Sequence, residues 1–220
     1  MISTDMSSFE TIDIYIDGLF ASEDDVLLRA RQRAREAGLP EIEVSAGQRR
    51  FLYLMASLVA PKRILEIGTL GGYSAIWLAR ALPAEGALVS LELEEARAPV
   101  ARQSLADAGL AAECHVLSGP ALESLAGLSA GFDVIFLDAN KDQYPEYLEE
   151  CARLLRPGGL LLADNVIRGG LVLDPPEDDV NARGAALFNT RLAAHPAFEA
   201  IVLQQVGAKG HDGIAVARRV

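Results

Sequence analysis

The amino-acid sequence predicts an α/β fold: a Rossmann-like sheet of seven strands, mostly parallel, with an antiparallel hairpin at its C-terminal end and helices on both faces. Two observations predict this fold. From residue 63 to residue 163, short apolar segments alternate with amphipathic ones, which is the pattern of parallel strands joined by helices. Near the C-terminus, two strand-like segments are joined only by residues 207–212, a connection too short for a parallel crossover.

The first 60 residues predict helices that precede and cover the sheet. One helix is expected over Glu23–Ala37, where Arg, Ala and Leu are frequent and a Gly and a Pro follow as a stop signal. A second is expected over Ser45–Ala60, with Ser45 as its N-cap. Its apolar face would consist of Phe51, Leu52, Met55 and Val59. We therefore expect the helices of residues 1–60 to cover a site on a Rossmann-like core of residues 61–220.

The core is defined by its apolar and amphipathic segments. Strands are predicted over Arg63–Ile67, Ala87–Leu91, His115–Leu117, Phe132–Leu137, Leu160–Ala163, Ile201–Val206 and Gly213–Arg219. Helices between them are predicted over Tyr73–Ala81, Glu95–Ala108, Pro120–Leu125 and Pro145–Leu155. The first five strands are apolar throughout rather than alternating, as expected when helices bury both faces of a sheet.

Residues 168–182 form an acidic stretch rich in Pro and Gly between the last predicted parallel strand and the hairpin. Long segments without predicted secondary structure inside a compact domain are often functional. The sequence leaves two interpretations open: a mobile lid over a site, and a solvated connection.

The composition excludes several classes of partner. Half of the 220 residues are hydrophobic, enough for one sizeable core, so we expect one domain over residues 1–220. A net charge of -11, from 20 Lys and Arg against 31 Asp and Glu, opposes the phosphates of nucleic acid. No apolar run approaches the roughly 18 residues that span a bilayer, and residues 1–10 are polar and acidic, unlike a secretory signal. We expect a cytoplasmic protein that binds neither nucleic acid nor membrane.

A glycine-rich turn follows the first predicted strand. It reads Glu66-Ile67-Gly68-Thr69-Leu70-Gly71-Gly72-Tyr73-Ser74. Glycines let a nucleotide-type ligand approach the backbone. The turn is not G-x-G-x-x-G, and Glu66 would repel a pyrophosphate while suiting a cationic amino acid group. The turn therefore favours S-adenosylmethionine over NAD, and the alternative is a tight turn chosen only for packing.

Glu92 ends the next predicted strand, 24 residues after Gly68. An acidic side chain at this place can accept hydrogen bonds from both hydroxyls of a ribose, whichever nucleotide cofactor carries it. The alternative is that Glu92 belongs to an acidic run with Glu94 and Glu95 on a solvated surface.

Polar residues also close two later strands. Asp138 follows the fourth predicted strand, and Asp164 with Asn165 follows the fifth. The carboxyl ends of strands in an open parallel sheet line one crevice, so these side chains can converge there, and Lys141 can reach the same place. Oxygen ligands without His or Cys suit Mg²⁺, Mn²⁺ or Ca²⁺. The alternative is that these residues only cap turns and a helix.

These segments resemble the cation-dependent class I O-methyltransferases of the catechol and caffeoyl-coenzyme A type, and the resemblance covers nearly the whole chain. The matching segments are Ser45-Ala46 before Phe51-Leu52, Glu66-Ile67-Gly68 with Gly72-Tyr73-Ser74, Gly119-Pro120-Ala121-Leu122, Leu137-Asp138-Ala139-Asn140-Lys141, Asp164-Asn165, and Gly213-Ile214 with Arg218-Arg219. Two positions depart from the family: Asn140 stands where many members have Asp, and Arg168 where plant members often have Trp. Arg168 would suit a charged acceptor.

The resemblance implies a Rossmann-like methyltransferase fold with bound S-adenosylmethionine and a divalent cation. Around S-adenosylmethionine it places Val44, Glu66, Gly68, Thr69, Gly72, Ser74, Glu92, Gly119, Ala121 and Asp138. Around the cation it places Asp138, Asp164 and Asn165. The expected cation is Mg²⁺, with Mn²⁺ or Ca²⁺ as alternatives. As catalytic residues it implies Lys141, in the position of the general base, and Asp138. It also implies a homodimer.

The expected reaction is transfer of a methyl group to one hydroxyl of a small, catechol-like aromatic acceptor. Three alternatives stay open. A dinucleotide-dependent oxidoreductase of the NAD type would have a similar sheet, but the missing G-x-G-x-x-G opposes it. A non-catalytic ligand-binding protein of the same fold would not need a base such as Lys141. A metal-independent methyltransferase is the third.

Overall fold

The computed structural model describes residues 6–40, 46–208 and 210–220. Within these residues the helices are α1 (Met6–Phe20), α2 (Asp25–Glu36), α3 (Ala46–Leu58), α4 (Tyr73–Ala79), α5 (Ala98–Asp107), α6 (Ala121–Ala126), α7 (Tyr144–Leu154) and α8 (Val180–Ala194). The strands are β1 (Arg63–Ile67), β2 (Ala87–Glu92), β3 (Glu113–Ser118), β4 (Phe132–Leu137), β5 (Leu155–Asp164), β6 (Phe198–Gly207) and β7 (Gly210–Arg219). A 3₁₀ helix covers Lys141–Gln143, and 3₁₀ turns with a kink at two glycines cover Arg168–Leu173. No helix in this part of the chain is long and apolar enough to cross a membrane.

The seven strands form one sheet in the order β3-β2-β1-β4-β5-β7-β6. β1 to β5 run parallel to their neighbours, whereas β7 lies antiparallel to both β5 and β6. The predicted Rossmann-like sheet with a C-terminal hairpin is confirmed. The strand order reverses between β1 and β4, which is the place where open α/β sheets bind their ligands.

Strand β4 shows why the central strands are apolar along their whole length. Its six residues are all buried. Ile135 and Leu137 pack on one face of the sheet with residues of α7 and α8, while Val134 and Phe136 pack on the other face with residues of α2 to α5. Successive side chains of a strand point to opposite faces, so a continuous apolar run means that both faces are covered.

The structure corrects the prediction for residues 168–182, which are not one irregular segment. Arg168–Leu173 forms 3₁₀ turns with a kink at Gly169 and Gly170, and the last residues of the stretch already belong to α8. The Asp179 carboxylate accepts a hydrogen bond from the Ala182 backbone N–H at 2.8 Å and so caps α8 at its N-terminus. One of the acidic residues that indicated a loop is therefore a helix-starting residue.

Two helices have no counterpart in the prediction. Helix α1 covers Met6–Phe20, a segment whose polar start gave no helical signal, and α8 follows the acidic stretch. The buried face of α8 includes Ala182, Ala185 and Phe188, spaced three residues apart, but its many small residues make that pattern weak. The N-cap predicted at Ser45 lies outside the described residues.

Candidate active site

A cavity of about 680 Å³ lies at the carboxyl ends of β1, β2, β4 and β5. Of the residues that the sequence assigned to a site, those on its wall are Gly68, Thr69, Ser74, Glu92, Ala121, Asp138, Lys141 and Asn165. Those outside the wall are Glu66, Gly72, Gly119 and Asp164. Val44 lies outside the described residues. Strand ends far apart in the sequence thus meet at one crevice, as the parallel topology requires.

The glycine turn between β1 and α4 lies directly against the end of β4. Gly68 has a φ of 92°, and a side chain there would collide with the backbone carbonyl of Asp138. The Asp138 backbone N–H donates to the Ile67 carbonyl at 2.9 Å, which holds the two strand ends together. Only glycine at residue 68 allows this approach, and it brings the turn and Asp138 to the same wall.

Glu92 braces the glycine turn from the end of β2. One carboxylate oxygen accepts from the Leu70 backbone N–H at 2.8 Å, and the other accepts from Glu94 at 3.1 Å. The Arg97 guanidinium lies 3.8 Å away. Glu92 is buried, so the interpretation of it as part of a solvated acidic run is wrong. Its carboxylate lies on the cavity wall, where a ribose could compete for its oxygens.

Glu66 and the glycines outside the wall support it from behind. Glu66 is fully buried in β1 and accepts a hydrogen bond from the Ser90 hydroxyl at 2.8 Å. Burial raises the pKa of Glu66. Gly72 has a φ of 85° and faces the backbone of Ala101 on α5. Gly119 follows β3 and donates its backbone N–H to the Glu92 carbonyl at 2.9 Å.

Asp138 is contacted by two cationic side chains. The Lys141 ammonium nitrogen lies 3.0 Å from one carboxylate oxygen, and Arg49 Nη2 lies 3.6 Å from the other. Burial raises the pKa of Asp138, but the charges of Lys141 and Arg49 outweigh burial and hold that pKa below its ordinary value. Asp138 is therefore a carboxylate at neutral pH, with a hydrogen-bonded ammonium group beside the cavity.

Asp164 and Asn165 end β5 beside Asp138. Asp164 is buried, and burial together with the negative charge of Asp138 raises its pKa to about 6. The Tyr144 hydroxyl lies 3.0 Å from the carbonyl oxygens of both Leu137 and Asp164 and so ties the ends of β4 and β5 together. Asn165 has a φ of 57° and reaches the cavity wall.

The three predicted metal ligands supply only oxygen. Two are carboxylates and the third is an amide, a set that fits Mg²⁺, Mn²⁺ or Ca²⁺ rather than zinc. Among the described residues, no three side chains of the His, Cys, Asp or Glu type are grouped as a metal site. The negative charge of Asp138 raises the proton affinity of Asp164, and a bound cation would relieve this repulsion, so the residues present fit such an ion.

Helix α8, absent from the prediction, positions Lys141. The Lys141 backbone N–H donates to the Asn181 side-chain oxygen at 2.9 Å. Gly184 on α8 lies so close to the Lys141 carbonyl that an added side chain would collide with it. The loop after β4 is thus fixed by a helix about 40 residues further along the chain.

Several residues that line the cavity were not predicted from the sequence, among them Arg49, Arg97, Gln143, Tyr147 and Asn181. Arg49 offered a usable signal. The buried face of α3 contains Leu52 and Ala56, and Arg49 precedes them by three and seven residues, so it lies on the same face. A charged residue on the buried face of an amphipathic helix indicates a polar site beneath that helix.

Two solved structures have the same fold. One is an O-methyltransferase from Bacillus cereus in complex with S-adenosylhomocysteine, with 38% identity, coverage of 98% of this chain and 100% of that one, and a TM-score of 0.93. The other is TomG, an O-methyltransferase from Streptomyces achromogenes involved in tomaymycin synthesis and solved with S-adenosylmethionine, with 43% identity, 99% coverage of both chains and a TM-score of 0.91. The fold is that of the Rossmann-like S-adenosylmethionine-dependent methyltransferases.

The sequence is also similar to a protein family and to curated relatives. The O-methyltransferase family model matches residues 19–220. A catechol O-methyltransferase from Niastella koreensis is 47% identical over 95% of this chain and 96% of its own length, and one from Mycobacterium tuberculosis is 42% identical over 94% of both chains. The chain belongs to the O-methyltransferase family and is an enzyme of that class. The oxidoreductase and non-catalytic alternatives are wrong.

Proposed function

We propose that this enzyme transfers a methyl group from S-adenosylmethionine to one hydroxyl of a small aromatic acceptor with vicinal hydroxyls, assisted by a divalent cation. One observation carries the proposal: the glycine turn and Glu92 share a cavity wall with Asp138, Lys141 and Asn165. The first group suits the cofactor and the second suits the acceptor. Catechol O-methyltransferases at 47% and 42% identity support the same acceptor class.

The protein groups in this proposal move one proton and hold the acceptor. Lys141, 3.0 Å from Asp138, accepts the proton of the reacting hydroxyl as a neutral amine and becomes the ammonium group that Asp138 holds in place. The oxygen then forms a bond to the methyl carbon as the carbon–sulfur bond breaks, and the electron pair of that bond stays on sulfur. When bound, S-adenosylmethionine supplies the electrophilic methyl group.

The acidic ends of β4 and β5 would hold the cation. The protein ligands of the cation would be Asp138, Asp164 and Asn165. Asp138 and Asn165 line the cavity, whereas Asp164 is buried and lies behind the lining residues. When bound, a divalent cation lowers the pKa of phenolic hydroxyls, which ionise near pH 10 in their free form, and it orients two vicinal oxygens.

Cofactor binding can be tested without knowing the acceptor. We expect S-adenosylhomocysteine to bind saturably in calorimetry, with and without Mg²⁺, and NAD to give no response. Glu92→Ala is expected to weaken that binding about tenfold, because Glu92 both braces the turn and offers its oxygens to the ligand.

Glu95→Ala is the matched control, because Glu95 is exposed in the same acidic stretch. It should bind S-adenosylhomocysteine like the wild type. A folded wild-type protein that does not bind S-adenosylhomocysteine would overturn the proposed function.

We also propose that a second copy of the chain covers an apolar surface formed by α1 and β6. Its exposed apolar side chains are Ile14, Tyr15, Leu19 and Phe20 on α1, with Ile201 and Leu203 on one face of β6. The two elements are joined near the hairpin, where the Ala208 backbone N–H donates to the Asp13 carboxylate at 2.7 Å. Apolar patches of this kind are rarely left uncovered, and two-fold homodimers are the commonest way to cover them.

Phe20→Glu is expected to shift the mass in light scattering from dimer towards monomer, because a carboxylate would be buried at the contact. Leu117→Glu is the control, since Leu117 is an exposed apolar residue on β3, at the opposite edge of the sheet. A monomeric wild type at all concentrations, or dimers of unchanged stability in Phe20→Glu, would contradict the dimer proposal.

A further inference from the structure

Arg49 is a buried cation on the cavity wall that the proposed reaction does not use. It lies on α3 and is 4% exposed. Its Nη2 atom lies 3.6 Å from Asp138, a distance too long for a hydrogen bond. Its Nε and Nη1 atoms are buried without a hydrogen-bond acceptor. The guanidinium group thus has charge contact with Asp138 and stacks over the Phe136 ring at 5.4 Å, but its donors stay unsatisfied.

Asp138 takes its hydrogen bond from a cation other than Arg49. Lys141 already forms a hydrogen-bonded ion pair with Asp138 at 3.0 Å. The other acidic residue of the wall, Glu92 at the end of β2, already accepts two backbone hydrogen bonds. Burying the Nε and Nη1 donors of Arg49 without acceptors is costly, and an anionic group that enters the cavity would satisfy them.

A second arginine on the wall is in a similar state. Arg168 follows β5, and its Nε atom is buried without a hydrogen-bond acceptor. Its backbone is fixed because the N–H groups of Ile167 and Arg168 donate to Asp212 at 3.0 and 2.9 Å. Arg168 has a φ of 56°, an uncommon conformation for a residue with a side chain. The cavity therefore combines two arginines with unsatisfied donors, one from α3 and one from the end of β5.

We propose that Arg49, together with Arg168, binds a carboxylate on the acceptor, so that the preferred substrate is a dihydroxylated aromatic acid rather than an uncharged catechol. This inference rests on the proposed function, because it places the acceptor in the same cavity. A guanidinium group offers two parallel N–H donors that match the geometry of a carboxylate. Arg49 is then a specificity-determining residue: it discriminates between acceptors by their charge.

The test compares two acceptors of nearly equal shape, 3,4-dihydroxybenzoate and 3,4-dihydroxybenzamide. Their dissociation constants are measured by calorimetry in the presence of S-adenosylhomocysteine and Mg²⁺, so that no turnover is required. We expect the wild type to bind the acid more tightly than the amide, and Arg49→Gln to reduce this ratio of affinities about 10- to 100-fold, the range of a charge-assisted hydrogen bond.

The neighbouring arginine provides a matched control. Arg50 lies on the same helix but stacks over Tyr53 and Trp77, at 4.9 and 5.9 Å, and does not line the cavity. Arg50→Gln should keep the wild-type ratio. If Arg49→Gln does not fold, Arg168→Gln tests the same subsite and is expected to reduce the ratio in the same direction.

Each result bears on one proposal. Equal binding of the acid and the amide by the wild type, or a ratio unchanged in both Arg49→Gln and Arg168→Gln, overturns the carboxylate subsite. Turnover with S-adenosylmethionine is measured separately on both acceptors. Methylation of both without a preference would retain the proposed function and reject the subsite. Tight, arginine-dependent binding of the acid without methylation would retain the subsite and reject the proposed function.

Discussion

Lys141→Ala is expected to lower kcat by about 100-fold or more with catechol-like acceptors, the effect of losing a general base. The Lys141 ammonium nitrogen is hydrogen-bonded to Asp138 at 3.0 Å and lies on the cavity wall, so it is placed to exchange a proton with a bound hydroxyl. The substitution should not strand a buried charge, because Arg49 still faces Asp138. Steady-state kinetics at saturating S-adenosylmethionine would measure the effect.

Lys62→Ala is the control for this experiment. Lys62 is exposed, and it precedes β1 at the end of the strand opposite to the cavity. We expect kcat of this variant to equal that of the wild type. Binding of S-adenosylhomocysteine to Lys141→Ala should be measured as well, so that loss of cofactor binding is not mistaken for loss of the base. An unchanged kcat in Lys141→Ala would remove Lys141 from the mechanism.

Residues at strand ends could be placed from the sequence because the topology determines where they go. Once β1, β2, β4 and β5 are recognised as parallel neighbours, Gly68, Glu92, Asp138 and Asn165 must lie at one edge of the sheet. The sequence did not separate wall residues from supporting ones. Glu66 lies behind the wall because it is fully buried within β1, where it accepts a hydrogen bond from Ser90 on the neighbouring strand β2.

Helical contributions to the site were harder to predict. Arg49 and Asn181 reach the cavity only because α3 and α8 pack against the sheet at particular angles, and such docking depends on contacts between distant segments. The acidic residues before α8 were interpreted as a loop, although Asp179 caps the helix. The local spacing of apolar residues indicates whether a segment is a helix or a strand. Where a helix starts and how it packs on the sheet depend also on its neighbours in the fold.

Asp138→Ala and Asp164→Ala are each expected to abolish methylation and, with it, the response of activity to Mg²⁺. Both carboxylates lie where the ends of β4 and β5 meet, and they are the charged members of an oxygen-only ligand set. Wild-type activity should be lost in excess chelator and restored by added Mg²⁺. Titration of activity against Mg²⁺, for the wild type and both variants, measures the effect.

Substitutions at Asp138 and at Asp164 are expected to have different effects on Tm. Measuring Tm therefore separates loss of a metal ligand from loss of the fold. Asp138→Ala leaves Lys141 and Arg49 without their counterion, so it should lower Tm, and Asp138→Asn is the milder form. Asp164→Asn removes a buried charge that lies beside another of the same sign, so Tm should be unchanged or higher in the metal-free protein.

Asp142→Ala, at an exposed position one residue after Lys141, should keep full activity and its Mg²⁺ response. A stable but inactive Asp164→Asn would support a role of this carboxylate in the reaction, whereas full wild-type activity in chelator would mean that the chain methylates without a metal.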